Sequence, residues 1–260
     1  MERASQANDF FKSLPNSTVE PFSNFAPYYD SFMLKCVDYV GWVNYIEKIF
    51  KKFRIKPKTI LDLACGTGIP TILFAKRGYR MIGIDRAQAM LEILKKKSQG
   101  YDITVYQADI RDFAIPEPVD TAICLYDSIN YLLTEDDLER CFHCVRKAVK
   151  NGGLFVFDLN TEYGLSVFWG NRESVREAGG LHSIWRNSYD PETKISTLYL
   201  TCRIKGKECS FLEIHKERGY ELSTIQKILN NAGFTEINLY HHGTFTPPTP
   251  ISIRVMVVAR

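Results

Sequence analysis

The sequence predicts an α/β fold, a doubly wound, seven-stranded, mostly parallel sheet with an antiparallel β insertion after the fifth strand. Three observations predict it. Apolar runs that read as strands covered on both faces alternate with helical stretches from residue 57 onward. The first run passes through an acid into a glycine turn that opens a helix, over residues 60–68, Ile-Leu-Asp-Leu-Ala-Cys-Gly-Thr-Gly. Three β-rich runs with no helix between them then follow the fifth strand.

Residues 1–24 are polar and irregular and are expected to be mobile. Residues 25–56 read as an N-terminal helical cap, with Phe25 to Met33 leading into one long helix from about Leu34 to Lys52. In the first core strand Ile60, Leu61 and Leu63 are apolar and Asp62 lies near the end. Gly66 and Gly68 let the backbone turn sharply and approach a ligand, and a helix through Thr71 to Ala75 stops at Gly78. A second strand over residues 80–84 ends in Asp85, and a helix from Ala87 to about Gln99 carries Ala89, Met90, Ile93 and Leu94 as its apolar stripe. The third strand, Ile103 to Gln107, leads into Asp109 and Ile110; the fourth, Thr121 to Leu125, turns abruptly polar and aromatic at Tyr126 to Tyr131. Thr134 caps a helix with acids in its first turn, Asn151-Gly152-Gly153 closes it, and Leu154 to Asp158 form the fifth strand.

An aromatic-rich helix is expected after residues 160–163, then strands over 183–189, 195–204 and 208–215, so that residues 161–220 form an inserted lid or an oligomer contact. A helix entered through Tyr220 to Ser223, and strands near 236–241 and 252–258, return the chain to the core. The core is thus expected over 57–160 and 221–260.

Composition narrows the class. With 260 residues, 45% of them hydrophobic, the chain can bury a substantial core, and no apolar stretch reaches the roughly 20 residues that span a membrane. The start, Met1 to Gln6, lacks a secretory apolar core, and seven cysteines without framework spacing point to reduced thiols and a cytoplasmic location. Cys141, His143 and Cys144 fall inside an amphipathic helix with no second ligand pair, so no metal is expected. A net charge of +3 is too small to mark a nucleic-acid binder, and the short basic runs at 51–56 and 95–97 read as solvated helix ends.

The glycine turn indicates the kind of ligand. Thr71 stands where a dinucleotide fingerprint needs a third glycine, and no Gly-Lys-Ser/Thr follows Gly68. Asp62 would repel a phosphate but suits a ligand with an ammonium or sulfonium charge. The segment resembles motif I of the class I S-adenosylmethionine-dependent methyltransferases, whose sheet is Rossmann-like, with Ala64 where many members carry a further glycine. The resemblance covers roughly residues 57–160. It implies S-adenosylmethionine as cofactor, Asp85 on the ribose hydroxyls, Asp109 on the adenine amino group and the Ile110 backbone on a ring nitrogen. It implies a cofactor-binding set of Tyr28, Asp62, Ala64, Gly66, Gly68, Asp85, Arg86, Met90, Asp109, Ile110 and Leu125. Met90 reads equally well as plain core. Tyr28 or Tyr29 would bond the methionine carboxylate or wall the transfer channel, or else anchor the cap helix.

The segments at 123–132 and 152–160 look like the amine-directed branch that contains glycine and aminosugar N-methyltransferases. No arginine can be assigned to a substrate carboxylate, with Arg172, Arg176 and Arg186 all open. The expected function is methyl transfer to nitrogen or oxygen of a small molecule; the alternatives are an RNA or protein methyltransferase and a non-catalytic cofactor-binding regulator. Candidate catalytic residues are Asp127, Asn130 and Tyr131 beside the fourth strand end, and His215 on the last inserted strand, with Glu213 and His182 as other proton acceptors. Asn130 also reads as a turn former. The inserted strands would close over the site or pair across a two-fold axis as a homodimer.

Overall fold

The computed structural model describes residues 18–206 and 210–260; the expectations for residues 1–17, and for the start of the third inserted strand at 208, lie outside them. The chain forms two sheets. The larger has seven strands: β2 (Thr59–Leu63), β3 (Arg80–Asp85), β4 (Ile103–Gln107), β5 (Val119–Cys124), β6 (Val149–Asn160), β11 (Ile237–His241) and β12 (Arg254–Ala259). Their order is β11-β12-β6-β5-β2-β3-β4, with β12 antiparallel to both of its neighbours. Winding reverses between β2 and β5, and the carboxyl ends of such strands leave a crevice for a ligand.

Side-chain alternation divides the core between the two faces. Leu61, Leu63, Ile82, Ile84, Phe155 and Phe157 pack under α5 (Glu135–Ala148) and α6 (Leu222–Asn231), whereas Ile60, Met81, Ile123 and Val156 face α2 (Tyr39–Lys52) and Phe74 of α3 (Ile69–Lys76). The Phe142, Phe155 and Phe157 rings lie with centroids 4.7 to 5.8 Å apart, adding aromatic attraction to their burial. Thr134 caps α5 as expected, accepting the Asp137 amide at 3.1 Å. The fourth helix, α4, spans Gln88–Lys97.

The cap is two helices rather than one. α1 (Ala26–Cys36) ends at Val37 in an extended conformation, and the Asp38 carboxylate caps α2 by accepting the Gly41 amide at 2.9 Å. A side chain able to satisfy a free helical N–H breaks an otherwise continuous apolar pattern.

The second sheet also differs from expectation. It has five strands in the order β1-β10-β9-β8-β7: β1 (Thr18–Val19), β7 (Glu173–Ala178), β8 (Leu181–Asp190), β9 (Ile195–Ile204) and β10 (Ser210–Arg218). β7 was not expected because its residues are mostly polar and exposed, as suits an edge. It pairs with β8 through Gly179-Gly180, both at positive φ, a two-residue turn that matches strand twist. The aromatic-rich helix expected after residues 160–163 is present, as a six-residue π-helical turn over Gly164–Trp169 that carries Phe168 and Trp169. Phe25 and Phe32 of the cap pack against Leu181, Leu200 and Phe211 of this sheet, so α1 joins the two sheets.

Candidate active site

A cavity of about 550 Å³ lies at the carboxyl ends of β2 to β5 and runs beneath the five-stranded sheet. Its first half is built from the glycine turn. Ala64, Gly66 and Gly68 all have left-handed φ, at 53°, 55° and 77°. A Cβ on Gly66 would meet only the Met90 methyl at 4.0 Å, whereas one on Gly68 would lie 2.1 Å from Leu94. Gly66 therefore keeps the cavity open, and Gly68, which does not line it, lets α4 pack close. Ala64 does line it, holding a conformation natural to glycine at a modest strain cost.

Three carboxylates ring this half. Asp62 is 2% exposed and accepts the Thr71 hydroxyl at 2.6 Å. Burial pushes its carboxyl up to about 7, with nearby Asp85 adding and Thr71 opposing. Asp85 accepts the Gly66 amide at 2.7 Å and the Ala87 amide at 2.8 Å, so it shapes the turn while keeping lone pairs for a ligand. Burial raises its pKa. Asp109 is gripped by Arg111 through Nε at 2.9 Å and Nη2 at 2.7 Å, which holds its carboxyl below the usual range; Arg111 continues to Asp137 at 2.9 Å. Arg86, Met90, Ile110 and Leu125 complete the wall. Tyr28 does not reach it and packs with the second sheet near Gly179; Tyr29 lines it instead. α1 is fastened over the turn by Asp30, which accepts the Thr67 hydroxyl and pairs with Lys97, each at 2.5 Å.

The second half begins where β5 ends. Tyr126 and Asp127 are consecutive left-handed residues, at φ 62° and 52°. The fully buried Asp158 carboxylate holds them by accepting both backbone amides, at 2.7 and 3.0 Å. Arg254 contacts Asp158 and pairs with Asp127 at 2.7 Å, compensating two acids at once. Its guanidinium lies over Trp42, which stacks on Tyr126 at 4.2 Å. Tyr131 Oη sits 3.1 Å from His215 Nδ1, and His215 Nε2 sits 3.2 Å from Glu213, which also accepts the Phe22 and Phe25 amides at 2.8 and 2.9 Å. A tautomer with its proton on Nε2 donates to Glu213 and leaves Nδ1 to accept from Tyr131.

Asp127, Tyr131 and His215 line the cavity. Asn130 does not. It is fully buried, donates to the Asn160 and Arg218 carbonyls at 3.0 and 2.8 Å and accepts the Asn160 amide at 2.9 Å, pinning β6 to β10. Sequence reasoning missed Tyr39, Trp42, Glu217 and Arg254, all of which line the cavity. Two signals were available. Glu213, His215 and Glu217 recur at period two on one strand, and Arg254 opens an otherwise apolar strand.

The cradle over Gly66, the buried acids and the apolar walls of Met90, Ile110 and Leu125 fit S-adenosylmethionine, which combines cationic centres, a ribose and a flat base. Comparison with known proteins agrees. Residues 60–153 match a family model described as a methyltransferase domain. A presumed methyltransferase of Geobacillus sp. (strain WCH70) is 27% identical over 248 residues, 92% of this chain and 99% of that protein. The crystal structure of an S-adenosylmethionine-dependent methyltransferase from Clostridium acetobutylicum ATCC 824 superposes with a TM-score of 0.80 at 27% identity, covering 89% of this chain and 95% of that one. The dTDP-4-amino-2,3,4,6-tetradeoxy-D-glucose N,N-dimethyltransferase of Saccharopolyspora spinosa is 32% identical over 121 residues, 46% of this chain and 48% of that protein. With its glycine turn, sheet order and ring of acids, the chain carries a methyltransferase domain over residues 60–153 in the fold of an S-adenosylmethionine-dependent methyltransferase.

Proposed function

We propose that the chain methylates a nitrogen or oxygen atom of a small molecule held between its two sheets. The observation that carries this reading is one continuous cavity, whose cofactor half, from Asp62 to Ile110, runs into a second half walled by Tyr131, His215, Glu217, Trp185 and Trp169. Aromatic walls with a few convergent polar groups suit a small acceptor. The aminosugar dimethyltransferase relative supports the same choice.

Bound S-adenosylmethionine supplies a methyl group on a sulfonium sulfur, open to in-line displacement by an acceptor lone pair. The chain's own part is to position and to manage charge. Asp62 would face a cationic centre and Asp85 the ribose hydroxyls, while Asp109, already aligned by Arg111, would accept the adenine amine. The five-stranded sheet serves as a lid over the acceptor half, with α1 closing the cofactor half. Tyr131 and His215 set the polarity of the acceptor half.

Calorimetry with S-adenosylmethionine, S-adenosylhomocysteine and NAD tests the reading. The first two are expected to bind and NAD not; D85A should weaken S-adenosylmethionine by about 1.5–3 kcal/mol, the cost of lost charge-assisted hydrogen bonds. Unchanged affinity in folded D85A would remove Asp85 from the site.

A further inference from the structure

The acceptor half holds one acid, Glu217, that no described cation pairs directly. Asp127 and Asp158 share Arg254, and Glu213 is occupied by two backbone amides and His215. Glu217 lines the cavity, and the hydrogen bond it makes among the described residues is to Asn160 Nδ2 at 2.9 Å. No described cation lies within ion-pair distance of it. The other oxygen of its carboxylate has no such bond, and Asn160 Oδ1, on a cavity-lining residue that is 2% exposed, is buried without a partner. The free Glu217 oxygen, on a cavity-lining residue, is still able to accept and calls for a donor on the ligand.

Both His215 ring nitrogens are already engaged, by Tyr131 and by Glu213, whereas Glu217 keeps an oxygen with no such contact. We propose that Glu217 is the residue that recognises the acceptor, as an ammonium group, and takes its proton. As the ammonium binds, the Glu217 carboxyl gives its own proton to solvent; the N–H bond then breaks as a carboxyl O–H bond forms, so ammonium and carboxylate become neutral amine and carboxylic acid, and the nitrogen lone pair is freed. The groups facing Glu217 permit this. Burial, then the nearby Asp127 carboxylate, push its carboxyl well above the ordinary range; Asn160 and Arg254 oppose that, Asp158 adds to it, and the Tyr131 hydroxyl lies close by. Such an acid is near the proton affinity at which transfer in either direction is easy.

This inference rests on the small-molecule reading above and narrows it to amines. The test uses the full chain saturated with S-adenosylhomocysteine and a matched probe pair, benzylamine and benzyl alcohol, titrated by calorimetry at pH 7 in two buffers of different ionisation enthalpy. Benzylamine is expected to bind at least about tenfold more tightly than the alcohol and to release about one proton per molecule bound, because a protonated carboxyl and an ammonium end by sharing one proton. E217Q should lose both the preference and the proton release, and E217D should keep the proton release. S-adenosylhomocysteine affinity reports folding in each variant, and its loss in the parent chain would overturn the methyltransferase site itself. Equal binding of the two probes, binding of neither, or a preference that survives in E217Q would overturn the role of Glu217 alone.

Discussion

Asp62 shows how a residue can serve a ligand at the fold's expense. Burial raises its pKa to about 7, so relative to acid conditions the ligand-free fold loses stability as pH climbs through that value and the buried carboxylate ionises. The ionised form is the one that attracts a cationic ligand. Two opposite outcomes are therefore expected. S-adenosylmethionine affinity should fall about tenfold per pH unit below 7 in the parent chain and should vary less with pH in D62N, where only Asp85 of the two buried acids remains. The same variant, which keeps an oxygen for the Thr71 hydroxyl, should melt at a higher temperature than the parent when both are ligand-free at pH 8. Calorimetry across pH and thermal melts measure the two effects; affinity that varies with pH alike in both proteins would show that another group titrates.

Among the elements, α1 bears most directly on the cofactor. Asp30 ties it to Thr67 in the glycine turn and to Lys97 on α4, both with partly shielded geometry. D30A is expected to speed S-adenosylhomocysteine dissociation about five- to tenfold, roughly the 1 kcal/mol that a partly exposed polar clasp supplies. Stopped-flow release would show it, and an unaltered rate would mean that α1 does not hold the cofactor in. The contrast between elements also shows what is legible in the sequence. β2, β3, β5 and β6 could be read because a strand covered on both faces must be apolar throughout; Asp62 and Asp85 could be singled out from their places near strand ends, and Asp109 from the family resemblance. β7 could not, because an edge strand has no such constraint, and the break between α1 and α2 turned on one aspartate that also fits an exposed helix position. Glu217 and Arg254 meet Asp127 only after β10 and β12 are in place, and no local pattern records a meeting of residues so far apart in the chain.

At the scale of the whole molecule, the position of Arg254 on β12, the last strand of the larger sheet to leave the ribosome, has a consequence for how the protein is made. Asp127 and Asp158 are both translated well before their common partner, and β12 must enter between β6 and β11 before Arg254 can reach them. A nascent chain that has most of its sheet still carries two buried or half-buried acids, Asp127 and Asp158, without the cation that compensates both. A chain stopped at residue 250 is accordingly expected to show helix and sheet by circular dichroism yet bind S-adenosylhomocysteine weakly or not at all, and full affinity in that fragment would show that the last strand does not complete the site. With the weak binding expected of the fragment, the order of synthesis would set when the pocket matures: only with the arrival of the strand that carries Arg254.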